Sequence, residues 1–207
     1  MNPITHLLSG WAVTLPFDLE RRDRAWIVFA SIAPDLDSLV LIGDIVRGRA
    51  ADDLELWTRW HHVLGHNIGA VILLAGACFL TAKRRPLTPL LAVLAMHLHI
   101  LMDIIGARGP DGYQWPIPYL LPFSRAWQGA VPWQWAINAW PNILLTLVLL
   151  AIALFWAWKR GSSPLMLLSR RADEALVGAL RGRFGEPPAG LKAERSTHKG
   201  TDNDQGL

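Results

Sequence analysis

The sequence predicts an all-α, polytopic helical membrane protein with about three to five membrane-embedded helices, an interfacial amphipathic helix and a disordered C-terminal tail. Three observations predict it. Hydrophobic residues make up 52% of the 207 residues and charged residues only 18%. The apolar residues gather in long runs instead of alternating with polar ones. Short basic clusters stand at the ends of those runs. The chain divides accordingly into a membrane-embedded domain over 1–160, an amphipathic helix over 161–184 and a disordered tail over 185–207.

The long runs are Ile68 to Ala82, Leu87 to Ile105 and Ile143 to Trp158, each about 15 to 19 residues, or roughly 22 to 29 Å as helix. A soluble domain rarely needs three such helices without a polar face. Ahead of them, residues 4–17 and 24–34 are two shorter apolar stretches parted by the charged turn Asp18 to Arg24, and they are expected to pair as a hairpin. Pro34-Asp35-Leu36-Asp37 follows, then an apolar stretch to Ile45, a polar loop from Arg47 to Glu55 and the segment LWTRWHHVLGH. Beyond Pro164, Leu165, Leu168, Ala172, Leu176 and Leu180 keep helical spacing while Arg170, Arg171, Arg181 and Arg183 fall on other positions, which predicts the amphipathic helix. Gly185 to Leu207 has no apolar period.

Charge orients these elements. The positive-inside rule places the basic turn Lys83-Arg84-Arg85-Pro86 in the cytoplasm. The first long run then travels inward and the second outward, residues 108–141 lie outside, and the third run returns to Lys159-Arg160 inside. With Arg21, Arg22 and Arg24 also cytoplasmic, His6, Asp35 and Asp37 are carried outward. Trp57, Trp60, Trp115, Trp127, Trp133, Trp135 and Trp140 fall on that outer side, where an aromatic belt belongs.

The net charge of +3 is assignable to Lys159 onward, where nine Lys and Arg face six Asp and Glu. That suits contact with anionic lipid; no basic stripe on a recognisable motif calls for nucleic acid. Cys78 stands alone and forms no intrachain disulfide. The start, MNPITHLLSGW, has neither a basic n-region nor a small-residue cleavage site and is not read as a cleaved signal.

An ionisable side chain at the centre of a membrane segment costs about 2.5 to 3.5 kcal/mol on insertion scales, so such groups usually have work to do. His99 and Asp103, four apart in a helical run, share a face and can share a metal. Asp35 and Asp37 flank Leu36; on an extended or turning backbone both fall on one side, able to hold a divalent metal or to cap the following helix. In WHHVLGH, helical spacing pairs His62 with His66, but spacing alone leaves His61 and His62 both open. His97 points away from His99 and is read as structural. The predicted topology brings His6, Asp35, Asp37, His61 or His62, His66, His99 and Asp103 to one face. A set of imidazoles and carboxylates without thiolate suits one or two divalent ions, Zn before Mn. Arg59, Arg108 and Arg125 lie on the same side as candidates for holding the phosphate of a phospholipid or lipid-linked substrate. Gly106 to Pro122 is a candidate flexible lid.

The motifs THLLSG, APDLDSL, HHVLGH, HLHILMD and PFS, in that order, resemble the bacterial family of membrane-bound metal-dependent hydrolases, also described as LexA-binding inner-membrane-associated hydrolases. The resemblance covers roughly residues 3–158. It implies metal ligands at His6, Asp35, Asp37, His61, His66, His99 and Asp103, a multi-pass bacterial inner-membrane location and a distant similarity to zinc-dependent phospholipase C. Where that family often has Arg after the first His of the HHVLGH segment and Thr before the second, this chain has His62 and Gly65. The departure keeps His61 and His62 both in play. The expected activity is hydrolysis of an ester or phosphoester by a metal-activated water, with Asp37 positioning the water. Two other classes compete: a small ion or proton transporter using the His and Asp cluster, and a non-catalytic membrane regulator acting through its tail.

Overall fold

A computed structural model of the chain describes residues 1–50, 53, 55–109 and 112–188. The expected disordered tail over 185–207 lies, from residue 189 onward, outside the described residues. Among those described, the fold is all-helical: α1 (Pro3–Thr14), α2 (Arg21–Ile32), a 3-10 turn η1 (Pro34–Leu39), α3 (Val40–Val46), α4 (Glu55–Trp60), α5 (Ile68–Thr81), α6 (Leu87–Gly106), α7 (Trp140–Arg160), a second 3-10 turn η2 (Pro164–Leu167) and α8 (Arg170–Phe184).

Local chemistry sets the helix starts. Asn2 accepts from Thr5 N at 2.9 Å and Pro3 occupies the first turn of α1. Buried Asp44 accepts from the first amides of α4, Leu56 N at 3.1 Å and Trp57 N at 2.8 Å, and Asn67 caps α5 through Ala70 N. Gly161, at φ 75°, ends α7 in the left-handed conformation that glycine tolerates.

Among the described residues two helices, α6 and α7, are long and apolar enough to cross a membrane; α2 with η1 and α3 makes a third if that pair, bent by 58°, is one span. At 14 residues, or about 21 Å, α5 falls short of a straight crossing. The apolar surfaces of α5 and α7 stay uncovered, with Leu73, Leu80, Ile143, Leu147 and Phe155 all exposed, as expected of helices facing lipid.

The expected N-terminal hairpin is α1 against α2, with α2 also packed on α6, α7 on α1, and α5 on α6. Leu8, Trp11 and Leu15 meet Val28 and Ala153 in one core, and Ile27 meets Leu91 and Ala95 in another. Gly10 permits the α1–α2 approach, since a Cβ there would lie 3.2 Å from Val28 Cα and overlap the Ser31 side chain.

At the end of the bundle carrying the basic turn, Asp23 accepts from Lys83 N at 2.9 Å and Arg84 N at 3.1 Å. Arg24 is buried, donating to Leu19 O, Phe17 O and Thr14 Oγ1, so its charge is held within the fold rather than offered at a membrane surface. The segment expected as one amphipathic helix is split at Ser169, whose side chain caps α8. The second piece folds back on α7: Trp158 Nε1 donates to Gly185 O at 2.7 Å, and Asp173 accepts from Ser163 N at 2.6 Å.

Residues 107–109 and 112–139 close over the other end. Isolated bridges join Arg108 to Ala136 and Ile117 to Gly129. Gln134 donates to Asp103 O at 2.8 Å and Asn142 to Gly106 O at 2.8 Å. The carbonyls of Tyr119 and Leu121 accept from Ile68 N at 2.7 Å and Gly69 N at 3.0 Å, docking the loop on the start of α5.

Candidate metal centre

His99 and Asp103 project from one face of α6, with His99 Nε2 3.0 Å from Asp103 Oδ2. From α1, the His6 ring stacks on His99 at 3.6 Å between centroids and brings Nε2 to 3.2 Å from Asp103 Oδ1. Asp35, on η1, puts Oδ1 3.6 Å from His99 Nε2. The segment between α4 and α5 adds His66, whose Nε2 lies 3.1 Å from His99 Nε2 and 3.3 Å from Asp103 Oδ2, and His62, whose Nε2 lies 3.8 Å from Asp103 Oδ2. Two donor sets result, His6, Asp35, His99 and Asp103 in one and His62, His66 and Asp103 in the other, with the donor atoms of each set within 4.8 Å of one another. Asp103 belongs to both.

Hydrogen bonds on the far side of the rings fix which nitrogen faces inward. His99 Nδ1–H donates to Ser31 O at 2.7 Å, His66 Nδ1–H to Asp37 Oδ2 at 2.9 Å and His62 Nδ1–H to Trp115 O at 3.4 Å. Each arrangement leaves Nε2 with its lone pair towards the cluster, as in the outer-shell partners of metal-bound histidines. Two such lone pairs at 3.1 Å repel unless a cation or proton lies between them. Burial holds the His62 imidazole well below its usual pKa, hence neutral and able to donate a lone pair. His6 Nδ1 and Asp35 Oδ2 are buried without a hydrogen-bond partner among the described residues, an unsatisfied state that a bound cation would relieve. The His and Asp side chains could therefore hold a metal ion. The Met1 amino group also reaches Asp103 Oδ1, and burial pushes its pKa down to about 5.

Asp35 and Asp37 do not face one way. They lie on the 3-10 turn η1, where three residues make a turn and positions two apart point about 120° away from each other. Asp35 joins a donor set, while Asp37 holds His66 with one oxygen and His61 Nδ1, at 3.0 Å, with the other. His61 belongs to neither set and stacks on Trp57 at 3.9 Å. His62 enters the cluster because the chain leaves the helix after Trp60 and turns at His62 through φ 63°, a left-handed conformation that non-glycine residues adopt at some cost. His97 faces the loop, its Nε2 2.7 Å from Tyr119 Oη. Trp57 and Trp115 pack around His61, whereas Trp127, Trp133 and Trp140 are exposed and available to a belt.

Two cavities flank His61 and Trp115, which line both. One, of about 310 Å³, runs between Arg59 and Arg125. The other, of about 320 Å³, reaches Asp35 and His62 past Pro3, Trp57 and Ile137. Arg108 lines neither and donates to Pro132 O at 2.9 Å.

Other contributors carried little or no signal in the sequence. The carbonyls of Ser31 and Trp115 act through the main chain and leave no residue pattern. Asn67 could have been read as a cap; it also donates to Val63 O at 2.7 Å and Leu64 O at 3.0 Å, tying the histidine segment to α5. Asn67→Ala is expected to cost about 1–2 kcal/mol and to lower the thermal midpoint in detergent; an unchanged midpoint would show that the segment is held elsewhere.

No curated protein and no solved structure matches the chain. The family model described as YdjM inner membrane protein matches residues 1–170, a stretch that contains both donor sets, the loop over them and every candidate span. With most of its length so matched and long apolar helices to cross a bilayer, the chain belongs to the YdjM inner membrane protein family.

Proposed function

We propose that this membrane protein is a divalent-metal-dependent hydrolase that cleaves an ester or phosphoester, lipid-linked, at the outer face of the bacterial inner membrane. The observation that carries the reading is one carboxylate, Asp103, common to two donor sets beside an open cavity, the layout suited to a two-ion centre. Four imidazoles and two carboxylates surround these positions with no thiolate, which favours zinc over manganese. A divalent cation held there would supply Lewis-acid activation of water and of the ester oxygen. The remaining work falls to the chain. Ser31 O, Asp37 and Trp115 O fix the orientation of His99, His66 and His62, so Asp37, with both oxygens engaged, acts as a positioning residue. The outer placement rests on the cluster lying at the end of α6 opposite the Lys83 to Arg85 turn.

Elemental analysis of protein purified in detergent without chelator tests this. The wild type is expected to carry stoichiometric zinc, and a His99→Ala/Asp103→Ala double variant to carry almost none. A folded wild type that holds no divalent metal and takes none up on addition would end the hydrolase reading.

A further inference from the structure

The cavity beside His61 has chemistry the donor sets do not use. Arg59 and Arg125 both line it, together with Gln128, and neither arginine forms an ion pair among the described residues. The Arg59 guanidinium lies 5.3 Å over the Trp60 ring, a contact that satisfies its face and leaves its N–H edge for a ligand. Two uncompensated guanidinium groups on one aromatic-walled cavity suit an anion with several acceptor oxygens, phosphate above all. The neighbouring cavity, across His61 and Trp115, has a mostly apolar wall in Pro3, Trp57 and Ile137, and it is this one that reaches Asp35 and His62. Neither Arg59 nor Arg125 lines it.

We infer that Arg59 and Arg125 form a phosphoryl-binding subsite for an amphiphile whose apolar part occupies the adjoining cavity. The phosphate is then a handle, held across the His61–Trp115 partition from the donor sets, and the bond presented to them is a different one, such as an acyl ester of a phosphate-bearing lipid. What happens to the ligand rests on the hydrolase reading; its binding does not.

The test is binding of radiolabelled dioleoyl phosphatidic acid in mixed micelles to the full chain, with dioleoylglycerol and inorganic phosphate as competitors and metal content measured on each preparation. An Arg59→Gln/Arg125→Gln double variant is expected to bind phosphatidic acid at least about ten-fold more weakly while keeping the wild-type metal content. Arg108→Gln should bind like the wild type, and dioleoylglycerol should not compete. Inorganic phosphate competing as well as the lipid does would support the arginine subsite but overturn the amphiphile, making free phosphate the ligand. Equal binding of phosphatidic acid by the wild type and the double variant would overturn the subsite. Arginine-dependent binding by a chain that carries no metal would keep this inference and end the hydrolase reading.

Discussion

Asp103→Ala is expected to strip metal from both donor sets at once, while His62→Ala removes it from one and leaves the other filled. The difference follows from membership. Asp103 Oδ1 faces His6 and Oδ2 faces His99 and His66, whereas His62 takes part only in the set with His66. On a two-ion centre, His62→Ala should retain about half the wild-type metal and Asp103→Ala close to none, because loss of one of three ligands weakens one ion and loss of the shared one weakens both. Asp103→Asn, which keeps the shape and removes the charge, should resemble the alanine variant. Metal analysis on detergent-purified, monodisperse protein decides it: equal losses in His62→Ala and Asp103→Ala would mean a single ion bound by residues of both sets.

Gly65→Ala should be nearly as damaging without touching a donor. A Cβ at this position would stand 2.7 Å from Pro34 Cα and 2.9 Å from Pro34 C, and would overlap Pro34 O. Those neighbours are backbone on the turn that carries Asp35 and Asp37, so they cannot swing aside as a side chain would. The strain, about 1–3 kcal/mol, would be relieved by parting the His61–His66 segment from η1, lengthening the His66–Asp37 bond that orients the ring. Metal affinity should fall about 10- to 100-fold, as when an outer-shell partner is lost. Gly76→Ala is the control, since nothing lies within 4 Å of a Cβ there. Matching metal affinities for the two variants would show that the close approach at Gly65 does not govern the site.

The membrane helices were legible because hydropathy is a property of composition along a run: the cores of α5, α6 and α7 sit where the long apolar runs predicted. His99 and Asp103 were legible for the same reason as any pair on a regular helix. The rest of the cluster was less so, because it lies on irregular backbone. Periodicity holds no information about a residue such as His62, which depends on a single left-handed turn, and it misleads at Asp35 and Asp37, which an extended or turning backbone is expected to set on one side and the 3-10 turn sets apart. Arg24 counts among the charges that mark the cytoplasmic end, and sequence does not reveal that the carbonyls of Thr14, Phe17 and Leu19 and the Thr14 hydroxyl enclose it. The departure at Gly65, visible as a residue, acquired meaning only when Pro34 was found against it.

The loop over the cluster is fastened to α5 by the carbonyls of Tyr119 and Leu121, and to itself by amide and carbonyl groups of Ile117 and Gly129. Every residue but proline possesses these groups, so these fastenings, unlike the bond from the Gln134 side chain to Asp103 O, are indifferent to which side chains the loop carries. Drift at positions such as Arg125 and Gln128 can therefore alter the shape and charge of the cavity without loosening its roof. A lineage could retune the molecules it admits by exchanging loop side chains while the histidines and Asp103 stay fixed beneath.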